Sequence, residues 1–248
     1  MRSFLLLWRR EVGSFFLSPI AYIMSFFFLV VMGVGFGFTV QHLTAGSMSY
    51  EVLQNIYASF FPWLSVLIAV PVLTMRSFAE ERKFGTIETL MTAPVSDTAV
   101  VLSKYFGCLL FYVVMWIPTI SYIFIINKFS TTKIALDPGA LLGAYLGGLL
   151  IGGLFVAIGI FCSSFTSNQI VAAIMSFAVM MMLFMAGLVS HISNIEWVAR
   201  LTGYFSSLAH MMDFSRGVVD SRPVVYYVTS TVAVLFATIR VVEARKWK

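Results

Sequence analysis

The charges of this chain come in clusters, and the stretches between them are long and apolar. No Asp, Glu, Lys or Arg occurs in residues 12–50, 52–75, 105–127, 138–195 or 223–239. A helix needs about 20 apolar residues to cross roughly 30 Å of hydrocarbon. Each stretch is therefore near spanning length, and 138–195 is long enough for two spans. That longest stretch breaks at the polar run Ser163-Ser164-Phe165-Thr166-Ser167-Asn168-Gln169. Charge-free residues 98–103 carry the third span back past Lys104, and 223–239 sits at the lower limit for a helix. The pattern predicts six helices, at about 20–40, 56–75, 100–126, 139–162, 169–190 and 223–241, in one transmembrane domain over 1–248.

Outside the spans the periodicity turns amphipathic. In residues 1–18, Phe4, Leu5, Trp8, Val12, Phe15 and Phe16 share one side of a helical wheel, and Arg2, Arg9, Arg10, Gly13 and Ser14 gather opposite. Leu6 and Leu17 fall on the polar side. The segment reads as an interfacial helix with its basic side towards headgroups, or as a plain positive flank. Pro19 supplies the corner into the first span. That span is longer than a 7–15-residue signal core and no compact small-residue cleavage site follows promptly, so a retained span is expected. Within 191–222, Trp197, Leu201, Tyr204, Phe205, Leu208, Met211 and Met212 follow helical spacing. They predict one or two short helices folded onto the outer leaflet, an interfacial connector on this pattern alone.

Composition narrows the class. Hydrophobic residues make up 60% and charged residues 11%, with mean hydropathy +0.93; soluble domains carry about a quarter charged residues. A water-soluble enzyme and a disordered chain are both excluded. Lys and Arg are retained on the cytoplasmic side. With the N-terminus inside, eleven of the sixteen (Arg2, Arg9, Arg10, Arg76, Arg82, Lys83, Lys104, Arg240, Arg245, Lys246, Lys248) are cytoplasmic. Five (Lys128, Lys133, Arg200, Arg216, Arg222) fall outside, so both termini are expected inside. Topology and anionic headgroups then account for the net charge of +5, and no nucleic-acid partner is implied. Cys108 and Cys162 both fall in predicted spans, which argues against a disulfide framework.

The segment 76–96 after the second span is the most informative. With Asp97 it holds four of the eleven acidic residues, the others being Glu80, Glu81 and Glu88. Phe84, Ile87 and Met91 recur at i, i+3 and i+7, which makes the apolar stripe of a short helix. Pro94 stops it, and Ser96 or Asp97 can cap the next span. Such a helix either lies on lipid or docks in a partner's groove. The run Glu81-Arg82-Lys83-Phe84-Gly85-Thr86-Ile87-Glu88-Thr89-Leu90-Met91-Thr92-Ala93-Pro94-Val95 resembles the signature that follows the second span in ABC-2 type transporter permeases.

The resemblance favours docking. It implies an all-α integral membrane protein of type V exporter-like architecture, with six spans, an N-terminal interfacial helix and both ends cytoplasmic. It also implies that 76–96 is a coupling helix seated in a cleft of a separate ATP-binding subunit. Glu80, Glu81, Arg82, Phe84, Gly85, Thr86, Ile87, Glu88, Leu90, Met91 and Pro94 would form the contact. Mg-ATP would be bound by that partner, and a second permease subunit, identical or related, would complete a dimer. Phe214-Ser215-Arg216-Gly217-Val218-Val219-Asp220-Ser221-Arg222 and Glu243-Ala244-Arg245-Lys246-Trp247 are similar to the gliding-motility-type branch. That branch is close to the copper-site maturation permeases of nitrous oxide reductase and implies a bacterial inner membrane. In the family, 191–222 caps the outer end of the pathway, which makes Trp197, Tyr204, Phe205 and Phe214 outer-gate candidates.

Other features carry less. Gly139, Gly143 and Gly147 recur at four-residue steps, with Gly148 and Gly152 on an adjacent stripe. Such faces permit close helix approach, within the chain or to a second subunit. Pro62, Pro71 and Pro118 inside spans favour kinks. No metal site is expected: His42, His191 and His210 lie on different loops, and the His210–Asp213 pair reads as a helix-surface contact. Met175, Met180, Met181, Met182 and Met185 do not share a stripe and read as packing or lipid contact. None of the six lysines follows a glycine, so the chain has no phosphate-cradling Gly-Lys-[Ser/Thr] loop and any ATPase is a separate polypeptide. An intramembrane hydrolase lacks both a Gly-x-Ser-x-Gly and an in-span histidine. The spans are expected to carry no buried charge, against a proton-coupled porter, and a lipid-linked, hydrophobic or polymeric export cargo suits them better. The competing expectation is a membrane scaffold that anchors a gliding or secretion machine without transport of its own.

Overall fold

The computed structural model describes residues 2–44, 52–85, 95–129, 137–192 and 195–244. Every regular element among them is helical: α1 Arg2–Phe16, α2 Pro19–Thr44, α3 Val52–Tyr57, α4 Phe60–Thr74 and α5 Arg76–Lys83. They are followed by α6 Asp97–Trp116, a 3-10 turn Ile117–Thr119, α7 Ile120–Phe129, α8 Pro138–Ser163 and α9 Gln169–Ile192. The last are α10 Glu196–Phe205, α11 Ser207–Ser215 and α12 Ser221–Glu243. Six stretches have the length and apolarity to span a bilayer: Pro19–His42, Val52–Lys83, Asp97–Phe129, Pro138–Ser163, Gln169–Val189 and Ser221–Glu243. These are the six predicted from the charge-free stretches.

Two spans are interrupted. The second begins earlier than predicted, because α3 buries Val52, Leu53, Ile56 and Tyr57, and it breaks again at Met75, between α4 and α5. Pro62 lies in the first turn of α4, where backbone N–H groups have no intrahelical acceptor anyway, so it costs little. Pro71 is internal to α4 and removes one ladder bond. Pro118 sits in the 3-10 turn that divides the third span into α6 and α7. Ser96 caps α6, its hydroxyl accepting from the Ala99 N–H at 3.3 Å.

α8 is the centre of the bundle, with most of its residues buried. Its glycines make that possible. A Cβ on Gly143 or Gly147 would run into Phe214 of α11, and one on Gly152 would run into the Tyr112 ring of α6. Gly148 faces Trp116, and Gly139 meets only the carboxylate of Asp137, the cap of its own helix. Four of the five predicted packing glycines thus accept neighbours from this same chain. At mid-bundle, Tyr57 Oη donates to Tyr145 Oη (2.9 Å), which also pairs with Thr119 Oγ1 (2.9 Å). This chain of hydroxyls ties α3, the 3-10 turn and α8 together.

The N-terminal helix forms as predicted, with Leu6 and Leu17 exposed on the polar side beside Arg9 and Arg10 and Phe15 packed on the core; the sides differ in that Leu5 and Phe16 are exposed and Leu7 packs inward. Phe15 stacks on Phe111 of α6, with ring centroids 5.6 Å apart. Glu11, which lies between Leu7 and Phe15 on the inward face, turns towards α6 as well.

Candidate functional site

The sequence predicted spans without buried charge; the structure corrects this. Lys104, in the second turn of α6, is 3% exposed. A buried ammonium is costly unless its donors are matched, and here all three directions are filled. Nζ donates to Glu11 Oε1 of α1 at 3.0 Å and to Glu81 Oε1 of α5 at 2.8 Å. It also stands 5.2 Å from the centroid of the Phe78 ring, a cation–π contact. Arg10 closes the cluster from the solvent side, its Nη2 3.4 Å from Glu81 and 3.6 Å from Glu11. Two cations and two carboxylates cancel. Being exposed, Arg10 contributes weakly next to the buried lysine.

A second ion pair lies alongside. Arg76 at the start of α5 grips Glu80 with Nε at 2.6 Å and Nη2 at 3.0 Å, a bidentate fork. Its Nη1 donates to Ser18 Oγ at 2.8 Å, in the corner between α1 and α2. Both ion pairs line a half-open cavity of about 230 Å³ bounded by α1, α2 and the second and third spans.

α5 is held at its start by Ser163, the last residue of α8. Ser163 Oγ accepts from the N–H groups of Phe78 (3.0 Å) and Ala79 (3.1 Å) and donates to the Met75 carbonyl (3.0 Å). In an unbroken helix those two N–H groups would bond to residues 74 and 75. A side chain inserted into the ladder is a recognised cause of a sharp bend, and it fixes α5 to the bundle's central helix.

Of the residues assigned to the coupling segment, Glu80 and Glu81 face these intramolecular partners and Arg82 is half-buried. Phe84 is 67% exposed, and Gly85 adopts φ +70°, a backbone setting natural to glycine. Thr86, Ile87, Glu88, Leu90, Met91 and Pro94 lie outside the described residues. At the opposite end of the bundle, Trp197 (66%) and Tyr204 (64%) are exposed, with Phe205 beside them. Phe214 is 1% exposed, its ring filling the space left by Gly147 and its carbonyl lying against Gly143. His210 bonds through Nδ1 to Tyr227 Oη at 2.9 Å rather than to Asp213. Burial moves its pKa down, with the Asp213 carboxylate working against that shift.

Sequence reasoning missed Glu11 and Ser163 as site residues. A signal existed for Glu11, the only acidic residue in the first fifty, four residues from Leu7 and from Phe15 on the packed face. Ser163 was legible only as the edge of a polar break.

The architecture is that of a multi-pass membrane protein with six apolar helices, and the Lys104 and Arg76 ion pairs lie together at one end. The family model for ABC-2 family transporter proteins matches residues 38–239, and the chain belongs to that family. It is a permease component of an ABC transporter, a transport element rather than a catalytic one, and such permeases generally pair with an ATP-binding subunit. Comparison with curated proteins returns no match.

Proposed function

We propose that the chain is the permease half of an ATP-driven exporter, with both termini in the cytoplasm of a bacterium and its spans in the inner membrane. Separate ATP-binding subunits, holding Mg-ATP, seat on segment 76–96, and a second permease subunit completes the pathway. The gliding-motility-type branch is the proposed placement within the family. One observation carries the coupling role: Lys104 joins α5, at the head of that segment, to both α1 and the third span. A push on the segment therefore reaches three elements through one buried ion. Within this reading Glu80 and Glu81 set the position of the segment, while Lys83, Phe84 and Gly85 present its exposed surface.

The test is retention of a soluble ATPase by the tagged chain in mild detergent. Gly85→Pro forces φ near −65° where the backbone stands at +70°, and Glu88→Lys reverses a charge in the signature. Both variants are expected to insert in the membrane and lose the ATPase. Equal retention by both would overturn the docking role. No ATPase with the wild-type chain, under conditions that preserve a known ABC complex, would favour the scaffold instead.

A further inference from the structure

A groove of about 470 Å³ opens between α10, α11 and the first turns of α12, at the end of the bundle opposite the Lys104 cluster. That volume is in the range of small-ligand sites. One wall is aromatic: Phe205 meets Tyr226 edge-on at 5.9 Å, and Tyr226 meets Tyr227 at 5.0 Å. Tyr204, Phe205 and Val218 expose apolar surface at its rim. The remaining lining is bipolar. Asp213 is exposed in the lining. Arg222 is exposed on α12. Asp220 is committed to capping α12, accepting from the Arg222 N–H at 3.1 Å, and His210 bonds through Nδ1 to Tyr227 Oη at 2.9 Å.

The groove opens beside the first turns of the apolar span Ser221–Glu243, and tyrosines at such helix ends collect where headgroups meet water. We propose that the groove binds the zwitterionic headgroup of an aminophospholipid, its ammonium on Asp213 and the Tyr226 ring and its phosphate on Arg222. A carboxylate gains charge-assisted hydrogen bonds from a primary ammonium, and an aromatic face adds cation–π attraction. A quaternary ammonium offers no N–H, so ethanolamine is favoured over choline. A guanidinium suits phosphate. An anionic lipid would use Arg222 but meet Asp213 and Asp220. The proposal rests on the membrane reading, not on which side faces the cytoplasm, and it does not depend on the ATPase.

The test is lipid retention by the purified full chain, measured by native mass spectrometry after equilibration with equal parts phosphatidylethanolamine, phosphatidylcholine and phosphatidylglycerol. The expected result is several-fold preferential retention of phosphatidylethanolamine, of the order one or two charge-assisted bonds supply. Asp213→Asn should erase the preference over phosphatidylcholine, and Arg222→Gln should lower retention of both equally. Soluble O-phosphoethanolamine should displace the lipid, showing that the headgroup is read rather than the acyl chains. Thermal unfolding of both variants checks that they remain folded, as exposed substitutions should. Equal retention of the three lipids, an unchanged preference in Asp213→Asn, or no displacement by the soluble headgroup would each overturn the proposal. A failed ATPase pull-down with intact lipid preference would overturn only the coupling reading.

Discussion

The two ends of α8 are held by opposite kinds of chemistry. At one end its last residue, Ser163, makes three hydrogen bonds to α5 and to Met75 just before it, beside a lysine shared by two carboxylates. At the other end Gly147 receives the ring of Phe214 and Gly143 its backbone carbonyl, and no charge takes part. Apolar packing depends on volume and is tolerant of direction, so it suits a contact that stays closed. Hydrogen bonds and ion pairs depend on angle and on every partner being present, so displacing one element changes the energy of all. In the proposed coupling, the polar end is where a motion applied from outside would be felt, and the apolar end would be the anchor against which it acts.

Substitutions of similar size should separate the two ends. Lys104→Met keeps the side-chain length and leaves Glu11 and Glu81 without their shared cation, so a loss of about 3–5 kcal/mol is expected. Thermal unfolding in detergent measures it. Adding Glu11→Gln and Glu81→Gln should recover most of the stability, while ATPase stimulation in the assembled transporter stays lost. Recovery of both would make the cluster a packing feature only. Ser163→Ala should cost about 1–3 kcal/mol, because the buried N–H groups of Phe78 and Ala79 lose their acceptor. Limited proteolysis after Lys83 should accelerate with it. Phe214→Leu at the apolar end should cost less than about 1.5 kcal/mol and leave activity in place. An effect as large as that of Lys104→Met would remove the distinction between the two ends.

The smallest effect concerns pH. His210 titrates below its ordinary value because burial disfavours its cation; Tyr226, Tyr227 and Asp213 face it. The unfolded chain, with an ordinary histidine near 6.5, therefore takes up its proton first as pH falls. Stability should decline from about pH 7 downwards and level off once the folded histidine is also charged. His210→Gln should flatten that slope when unfolding is followed across the same range. An unchanged slope would assign the pH response to other groups.

The number and placement of the spans were legible because bilayer length and the exclusion of charge act on each segment by itself. The Ser96 cap and the helical nature of 2–16 were legible for the same reason: their signals lie within one turn of the residues they organise. The sides of α1 were only partly legible. A wheel ranks residues by polarity, and it cannot foresee that Glu11 turns inward to meet a lysine 93 positions away. The glycine stripes announced close approach without naming the neighbour, which Phe214, Tyr112 and Trp116 supply from distant helices.

Composition and periodicity alone thus determined the membrane class of the protein and its six apolar spans, while the segment that carries the family signature was marked by the resemblance of residues 81–95. Tertiary structure decided what Lys104, Glu81 and Phe214 do. Lys104 read as a cytoplasmic flank, Glu81 as a contact for another subunit and Phe214 as a gate; packing made the first two halves of one buried ion pair and the third a filler of glycine space. The physical reason is the range of the forces. Hydrophobic matching to a bilayer is set by local sequence, whereas a buried charge can exist only where the fold brings its counter-charges within about 3 Å.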